Sequence, residues 1–131
     1  HTAYRRQRQM CIRDRYEDIG GFDEAFFMYC EDVDYSWRAR ANGYDVIINP
    51  SALFLHAVSN RENADKTWEM MLKSGHILAR KWGNTEFAQW TAQRLKELAA
   101  DPASSHVEEV PEEWRSVANF AHNFSFSPVR W

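Results

Sequence analysis

Residues 20–56 read GGFDEAFFMYCEDVDYSWRARANGYDVIINPSALFLH, and this stretch decides how the chain of 131 residues is interpreted. Carboxylates are concentrated in its first half, and a histidine, His56, closes it. Its length suits a strand–helix–strand unit. The stretch therefore predicts a compact unit that gathers several acids and one imidazole.

The middle of this stretch predicts a helix over residues 32–42. Asp32 is a good N-cap residue, and Gly43 is a natural C-terminal stop. Asp34 and Arg38 form an acid-before-base pair one turn apart. An apolar stripe recurs at four-residue steps, formed by Val33, Trp37 and Ala41.

Two short strands are predicted after this helix. Residues 44–49 (YDVIIN) are rich in β-branched side chains and are closed by Pro50. Residues 52–55 (ALFL) form a second apolar run that leads to His56. A helix followed by two strands predicts the α/β fold class.

The sequence after residue 64 predicts helices. One covers residues 65–82 and is stopped by Gly83, and a second is capped by Asn84 or Thr85 and reaches about Ala100. Their apolar residues repeat at three- and four-residue steps: Trp68, Met71, Leu72, Gly75, Leu78, Ala79 and Trp82, then Phe87, Trp90, Thr91, Leu95 and Leu98.

Composition limits the class of protein. A chain of this length holds one domain at most, and 44% hydrophobic and 15% aromatic residues allow a modest core. Residues 1–16 carry five arginines against one acid, whereas residues 17–131 carry eleven lysines and arginines against eighteen acids. The acidic main body argues against a nucleic-acid partner.

The cysteines and the hydropathy indicate where the protein works. Cys11 and Cys30 form no CxxC pair, which suits a reducing compartment. No apolar run reaches the roughly 18 residues of a membrane span, and no signal peptide opens the chain. We expect a cytoplasmic location, with peripheral association at a membrane as the alternative.

The first 16 residues have no helical or strand period and differ in composition from the rest. A disordered leader, a non-native leader and a basic arm for anionic lipid or nucleic acid all fit them. We divide the chain into this leader (1–16), a catalytic unit (17–64), a helical extension (65–100), a Pro-containing linker (101–113) and a short C-terminal helix over 114–124 with its tail (114–131).

The ordered motifs GGFDE, ED-x-D, R-x-x-x-x-G-Y, Pro and His resemble family 2 of the glycosyltransferases, nearest its bacterial rhamnosyl- and galactofuranosyl-type enzymes. The resemblance covers about residues 17–60 and extends more weakly to RKWG, residues 80–83. It implies that the α/β unit is the C-terminal, acceptor-side part of a GT-A Rossmann-like fold, followed by helices.

The resemblance also implies a role for each motif. Asp32 is the catalytic base, and His56 completes a site for Mg²⁺ or Mn²⁺. The donor half, with its Asp-x-Asp metal ligands, is missing from this chain, so the fragment alone is expected to be inactive. The residues expected to bind the acceptor are Gly21, Phe22, Asp23, Glu24, Glu31 and Asp34.

This chemistry has a physical basis in the residue types. Inverting transfer needs a general base to take the proton of the acceptor hydroxyl as it attacks C1 of the donor sugar. A carboxylate fixed at a helix N-terminus meets that need. The leaving nucleoside diphosphate needs a cation, and Mn²⁺ accepts imidazole beside oxygen ligands. A nucleotide-sugar and a glycan or lipid-linked acceptor are thus the expected partners.

Alternatives remain open at each motif. Asp32 and Asp34 can simply cap a helix, His56 can end a strand, and GGFDE can be only a turn. A non-catalytic module that binds glycan or protein is the main alternative function, and a metal hydrolase is a weaker one. Ser127 stands where a processive synthase of this superfamily has Gln before Arg130-Trp131, which favours single addition.

Overall fold

The computed structural model of the chain describes residues 12–55, 64–102 and 106–116. Every regular element within these ranges is helical. In chain order the helices are α1 (Ile12–Ile19), α2 (Glu31–Ala41), α3 (Ala64–Lys81), α4 (Thr85–Glu97) and α5 (Glu112–Arg115). Helices α3 and α4 pack against each other as a hairpin, and α1 contacts α2.

The predicted α/β fold class is wrong for the part of the chain that the structure describes, because those residues form no strand. A strand is stable only when a second strand pairs its backbone N–H and C=O groups. None of the described residues pairs in this way with residues 44–49 or 52–55. Where the GT-A Rossmann-like arrangement was expected, the described part of residues 17–64 forms the end of α1, a loop, α2 and an irregular segment over residues 44–55.

The irregular segment, residues 44–55, leaves its apolar side chains in solvent. Ile48 is 92% exposed and Phe54 is 84% exposed, and Ile47, Leu53 and Leu55 are similar. The sequence pattern identified residues that prefer strands, but a preference of this kind reflects packing against neighbours more than the backbone itself. Without such neighbours the segment stays irregular.

This exposure makes a direct prediction about stability. We expect Ile48→Ser to change the free energy of unfolding by less than about 0.5 kcal/mol, because its side chain is already in water. The matched control is Leu78→Ala, since Leu78 is 1% exposed. This substitution should lower the free energy of unfolding by about 2–5 kcal/mol. Urea unfolding followed by circular dichroism measures both. A loss above about 1 kcal/mol for Ile48→Ser would contradict the exposed position.

The helices predicted at 32–42 and 65–82 are confirmed closely by α2 and α3. Both end where a glycine takes a left-handed conformation, at Gly43 (φ 80°) and Gly83 (φ 73°). A residue without Cβ enters this region without steric cost, which is why glycine ends helices so often.

Helix α4 is confirmed as well, with Asn84 as its cap. The Asn84 side chain accepts a hydrogen bond from the Phe87 N–H at 2.9 Å, which satisfies one of the unpaired donors of the first turn. The helix ends at Glu97, before the predicted end at Ala100. Helix α5 covers four residues, Glu112–Arg115, and most of the helix predicted at 114–124 lies outside the described residues.

The core lies where α2, α3 and α4 meet, and Trp82 is at its centre. Trp82, Leu72 and Leu95 have no exposed surface. The Trp37 ring meets Trp82 edge to face, with centroids 5.1 Å apart. The cluster that contains Trp37 and Trp82 also includes the buried residues Phe26, Cys30, Ile77, Leu78, Ala79, Phe87, Val107 and Val110.

Two segments at the edges are more ordered than the sequence suggested. Helix α1 begins at Ile12, within the expected leader, and Arg15 donates to the Tyr44 hydroxyl at 2.9 Å. In the expected linker, Val107 and Val110 are buried, and the Val110 N–H donates to the Lys81 carbonyl at 3.0 Å. No helix in the described ranges has the length and hydropathy needed to cross a bilayer.

Candidate functional site

The GGFDE motif forms a tight turn at the end of α1. Gly20 and Gly21 both have positive φ, 89° and 71°. A Cβ on Gly21 would lie 2.9 Å from the Tyr16 hydroxyl oxygen, so the turn needs glycine for space as well as for conformation. The Gly21 residue predicted to bind an acceptor is buried, and its backbone shapes the loop.

Asp23 in this loop bonds inward to α3. Its Oδ1 accepts the Ala25 N–H at 2.8 Å, and its Oδ2 accepts the Lys81 ammonium at 2.5 Å. Partial burial alone would raise the pKa of Asp23, but the hydrogen bonds from Lys81 and Ala25 outweigh it and lower the pKa below its usual value. Asp23 is therefore the anion of an ion pair, and its side chain remains 32% exposed.

Asp34 is sealed inside the protein. Its side chain has no exposed surface, and Lys81 Nζ lies 3.0 Å from both of its oxygens. Arg38 Nε donates to Oδ2 at 2.8 Å and Trp82 Nε1 donates to Oδ1 at 2.9 Å. The contact with acceptor or sugar hydroxyls predicted for Asp34 is thus corrected: its oxygens face protein donors.

Arg38 extends this set of contacts to the glycine turn. Its Nη1 donates to the Ile19 carbonyl at 2.6 Å and its Nη2 to the Gly21 carbonyl at 2.5 Å. We call Asp23, Asp34, Arg38, Lys81 and Trp82 the buried ion network. Through this network α2 and α3 hold the GGFDE loop. Most polar atoms of the network therefore bond to other protein atoms instead of facing a ligand.

The backbone just before the candidate base is strained. Tyr29 and Cys30 have φ of 71° and 66°, a region that residues with a Cβ rarely occupy. The surroundings hold them there: Ser74 Oγ donates to the Met28 carbonyl at 2.5 Å, and the Asp34 N–H donates to the Cys30 carbonyl. Strain of this kind persists only where packing imposes it, and it is concentrated at functional sites.

This strain should reverse the usual preference for alanine over glycine at Cys30. We expect Cys30→Gly to be more stable than Cys30→Ala by about 1 kcal/mol, because alanine keeps the cost of the left-handed conformation. The same comparison at Ser36, in the middle of α2, should favour alanine by about 0.5–1 kcal/mol. Chemical denaturation of the four variants gives both differences. Alanine as the more stable residue at both positions would show that Cys30 is unstrained.

Asp32, the residue predicted to be the catalytic base, lies near the start of α2. It is exposed in the first turn of α2, and the residue at the N-cap is Cys30, so the N-cap role predicted for Asp32 is corrected. Its Oδ1 accepts the Val33 N–H at 2.9 Å, which orients the carboxylate. The helix beneath it is fixed by the buried ion network. A carboxylate that is exposed yet rigidly supported can receive a proton from a ligand hydroxyl.

Glu31 precedes Asp32 in the chain, and one of its oxygens has no hydrogen-bond partner among the described residues. Its side chain is half-buried, and Oε2 is shielded from solvent but accepts no hydrogen bond from the described residues. A buried acceptor without a donor is costly in a folded protein. A hydroxyl from a bound ligand would satisfy it, which fits the acceptor-binding role predicted for Glu31.

Phe22 and Glu24 are the parts of the loop that face solvent. Phe22 is 51% exposed and Glu24 is exposed as well. The Phe22 ring lies 5.2 Å from that of Tyr35 and 5.9 Å from that of Tyr16. Tyr35 follows Asp32 by three residues and so lies on the same side of α2. These rings form an exposed aromatic patch near the candidate base.

The described residues do not fit a divalent cation. No group of three or more His, Cys, Asp or Glu side chains in those ranges could hold a metal ion. The local Asp-x-Asp fails because Asp34 is occupied by Lys81, Arg38 and Trp82. His56, the predicted metal ligand, lies outside the described residues.

Sequence reasoning missed Lys81 and Trp82 as members of the site. RKWG was noted only as a weaker part of the resemblance. A signal was present, because Lys81 sits between Leu78 and Trp82 at the buried end of an apolar helix face. A lysine in that position needs a buried anion. The pair Asp34 and Arg38 was recognised, but its burial was not.

Comparisons with known proteins give partial similarity. The chain is 40% identical over 53 residues to N-acetylglucosaminyl-diphospho-decaprenol L-rhamnosyltransferase from two strains of Mycobacterium tuberculosis, CDC 1551 / Oshkosh and ATCC 25618 / H37Rv. The match covers 40% of this chain and 17% of each relative. No protein-family model and no solved structure matches. The similarity supports a relationship to glycosyltransferases.

Proposed function

We propose that this chain supplies the acceptor side of an inverting glycosyltransferase whose donor site lies on sequence beyond these 131 residues. The observation that carries the proposal is the exposed Asp32 carboxylate in the first turn of α2, a helix held by the buried ion network. The residue before it, Glu31, has a buried oxygen that accepts no hydrogen bond from the described residues. The partial identity to a rhamnosyltransferase supports the same reading from an independent direction.

In the proposed reaction, Asp32 takes the proton of the acceptor hydroxyl while the oxygen of that hydroxyl bonds to C1 of the donor sugar. The bond from C1 to the diphosphate breaks in the same displacement, and the nucleoside diphosphate leaves with its electron pair. Glu31 Oε2 accepts a second hydroxyl of the acceptor and holds it in place. Phe22 and Glu24 complete the acceptor surface from the neighbouring loop.

The proposed substrates are based on those in the name of the relative. We propose a nucleoside diphosphate–rhamnose as donor and a lipid-linked amino sugar diphosphate as acceptor, the chemistry of N-acetylglucosaminyl-diphospho-decaprenol. Such a lipid acceptor fits a protein that works in the cytoplasm at a membrane surface. A requirement for Mg²⁺ or Mn²⁺ remains part of the proposal, with His56 and the donor half as its ligands.

The assay of this proposal uses the complete polypeptide that contains this segment. It is incubated with nucleoside diphosphate sugars and N-acetylglucosaminyl-diphospho-decaprenol, and the lipid product is analysed by mass spectrometry. We expect one added hexosyl residue, and none with the 131-residue chain alone. Binding of the acceptor without transfer from any donor would instead favour the non-catalytic glycan-binding module.

A further inference from the structure

Lys81 is the most unusual residue of the buried ion network. It ends α3, and its side chain is only 8% exposed. Lysine is almost never buried to this degree without a partner. Here two acids from different parts of the chain surround it, Asp23 of the loop and Asp34 of α2. The proposed chemistry uses neither Lys81 nor these two acids directly.

The two acids that Lys81 contacts differ in their exposure to solvent. Asp34 is completely buried and also bonds Arg38 and Trp82, so it keeps two donors if Lys81 is removed. Asp23 is one-third exposed, and Lys81 is the cation that hydrogen-bonds it. Solvent can compete for the second contact but not for the first. The Lys81–Asp34 contact is thus fixed, whereas the Lys81–Asp23 contact can open.

Asp23 lies between the two loop residues that face solvent. Phe22 and Glu24 are its direct neighbours, and both are exposed. Because Asp23 is bonded inward, its neighbours are presented outward at a defined angle. Release of Asp23 from Lys81 would leave the glycine turn held by Arg38 at Gly21 but would remove the ion pair that joins Asp23 to α3.

We propose that Lys81 is a positioning residue that sets acceptor affinity by holding Asp23, and with it Phe22 and Glu24, in the orientation that receives the acceptor. The inference rests on the proposed function and adds a specific residue to it. Lys81 acts through Asp23 and does not touch substrate. The Asp23–Lys81 pair contributes to acceptor binding. Asp32 stands on α2, where Arg38 and Trp82 still bond Asp34 when that pair is broken.

The test compares Asp23→Asn, Lys81→Met and the double variant in the complete transferase, with N-acetylglucosaminyl-diphospho-decaprenol as acceptor. We expect the acceptor KM to rise about tenfold in each single variant, with donor KM and kcat within about twofold of the parent. The double variant should be no worse than Lys81→Met alone, because Asp23→Asn then changes a bond that Lys81→Met has already removed. Lys73→Met, at a half-exposed lysine of α3, is the matched control and should change nothing.

Several outcomes would overturn this inference. An acceptor KM within about twofold of the parent in Asp23→Asn does so, as do effects that multiply in the double variant or fall only on kcat. If Lys81→Met fails to fold, Asp23→Asn alone decides, since Asp23 lies at the partly exposed end. NMR titration of Asp23 in the 131-residue chain gives a separate readout: Lys81→Met should raise its pKa.

Failure of the inference can be told apart from failure of the proposed function. If Asp32→Asn has no turnover but Asp23→Asn has a normal acceptor KM, the transferase proposal stands and the role of Lys81 falls. If Asp32→Asn keeps full turnover, the proposed base is wrong whatever happens at Lys81.

Discussion

Asp32→Asn is expected to lower kcat of the complete transferase by about 10²–10⁴-fold, the usual contribution of a general base. The amide has the same shape as the carboxylate and cannot take up the acceptor proton. Donor affinity should be unchanged, since the donor half lies elsewhere in the proposal. Steady-state kinetics and a nucleotide-sugar binding assay measure the two quantities separately.

The matched control for this substitution is Glu86→Gln. Glu86 is an exposed carboxylate and the second residue of α4, as Asp32 is the second residue of α2. Glu86→Gln therefore removes the same charge from the same place on a helix and should leave kcat unchanged. Equal turnover by Asp32→Asn and the parent enzyme would remove Asp32 from its proposed role.

Asp34→Asn is expected to lower the free energy of unfolding of the chain by about 3–5 kcal/mol. The substitution leaves the buried cations Lys81 and Arg38 without their shared anion, and the new amide group opposes donors with a donor. Such a loss is a large part of the total stability of a small protein, about 5–15 kcal/mol. Thermal and urea unfolding followed by circular dichroism measure it.

Asp32→Asn is the internal control for this second experiment. It makes the same chemical change two residues earlier in the same helix, but at an exposed position. We expect it to change the unfolding free energy by less than about 0.5 kcal/mol. The two aspartates should thus separate: Asp32 matters for turnover, Asp34 for stability. A loss below about 1 kcal/mol for Asp34→Asn would show that the buried ion network is not a stabilising element.

Helices α2, α3 and α4 could be predicted because local signals encode them, whereas α1 begins in a segment where no helical period was found. Apolar residues at three- and four-residue steps place α3, and Asn84 and Gly83 mark the boundary between α3 and α4. Such signals act over a single turn and are independent of distant contacts. The strands at 44–49 and 52–55 could not be predicted in this way, because strand formation requires a partner outside the segment.

The candidate site was predictable only in part. The roles predicted for Asp32 and Glu31 stay predictions: Asp32 is exposed, and Glu31 Oε2 accepts no hydrogen bond from the described residues. From the sequence, both Asp23 and Asp34 were predicted to bind the acceptor. In the structure both bond to Lys81, which follows them by 58 and 47 residues in the chain. No local pattern could reveal a pairing over that separation.

The order of residues in this chain determined by itself where α2 and α3 lie, where α4 begins and which acids stand at the start of α2, since propensity, capping and periodicity act between near neighbours. Only the tertiary structure decided which of those acids faces solvent and which is buried. The reason is physical: burial of a carboxylate is tolerated only where cations meet it, and Lys81 is brought to Asp34 by the packing of α3 against the preceding loop and helix.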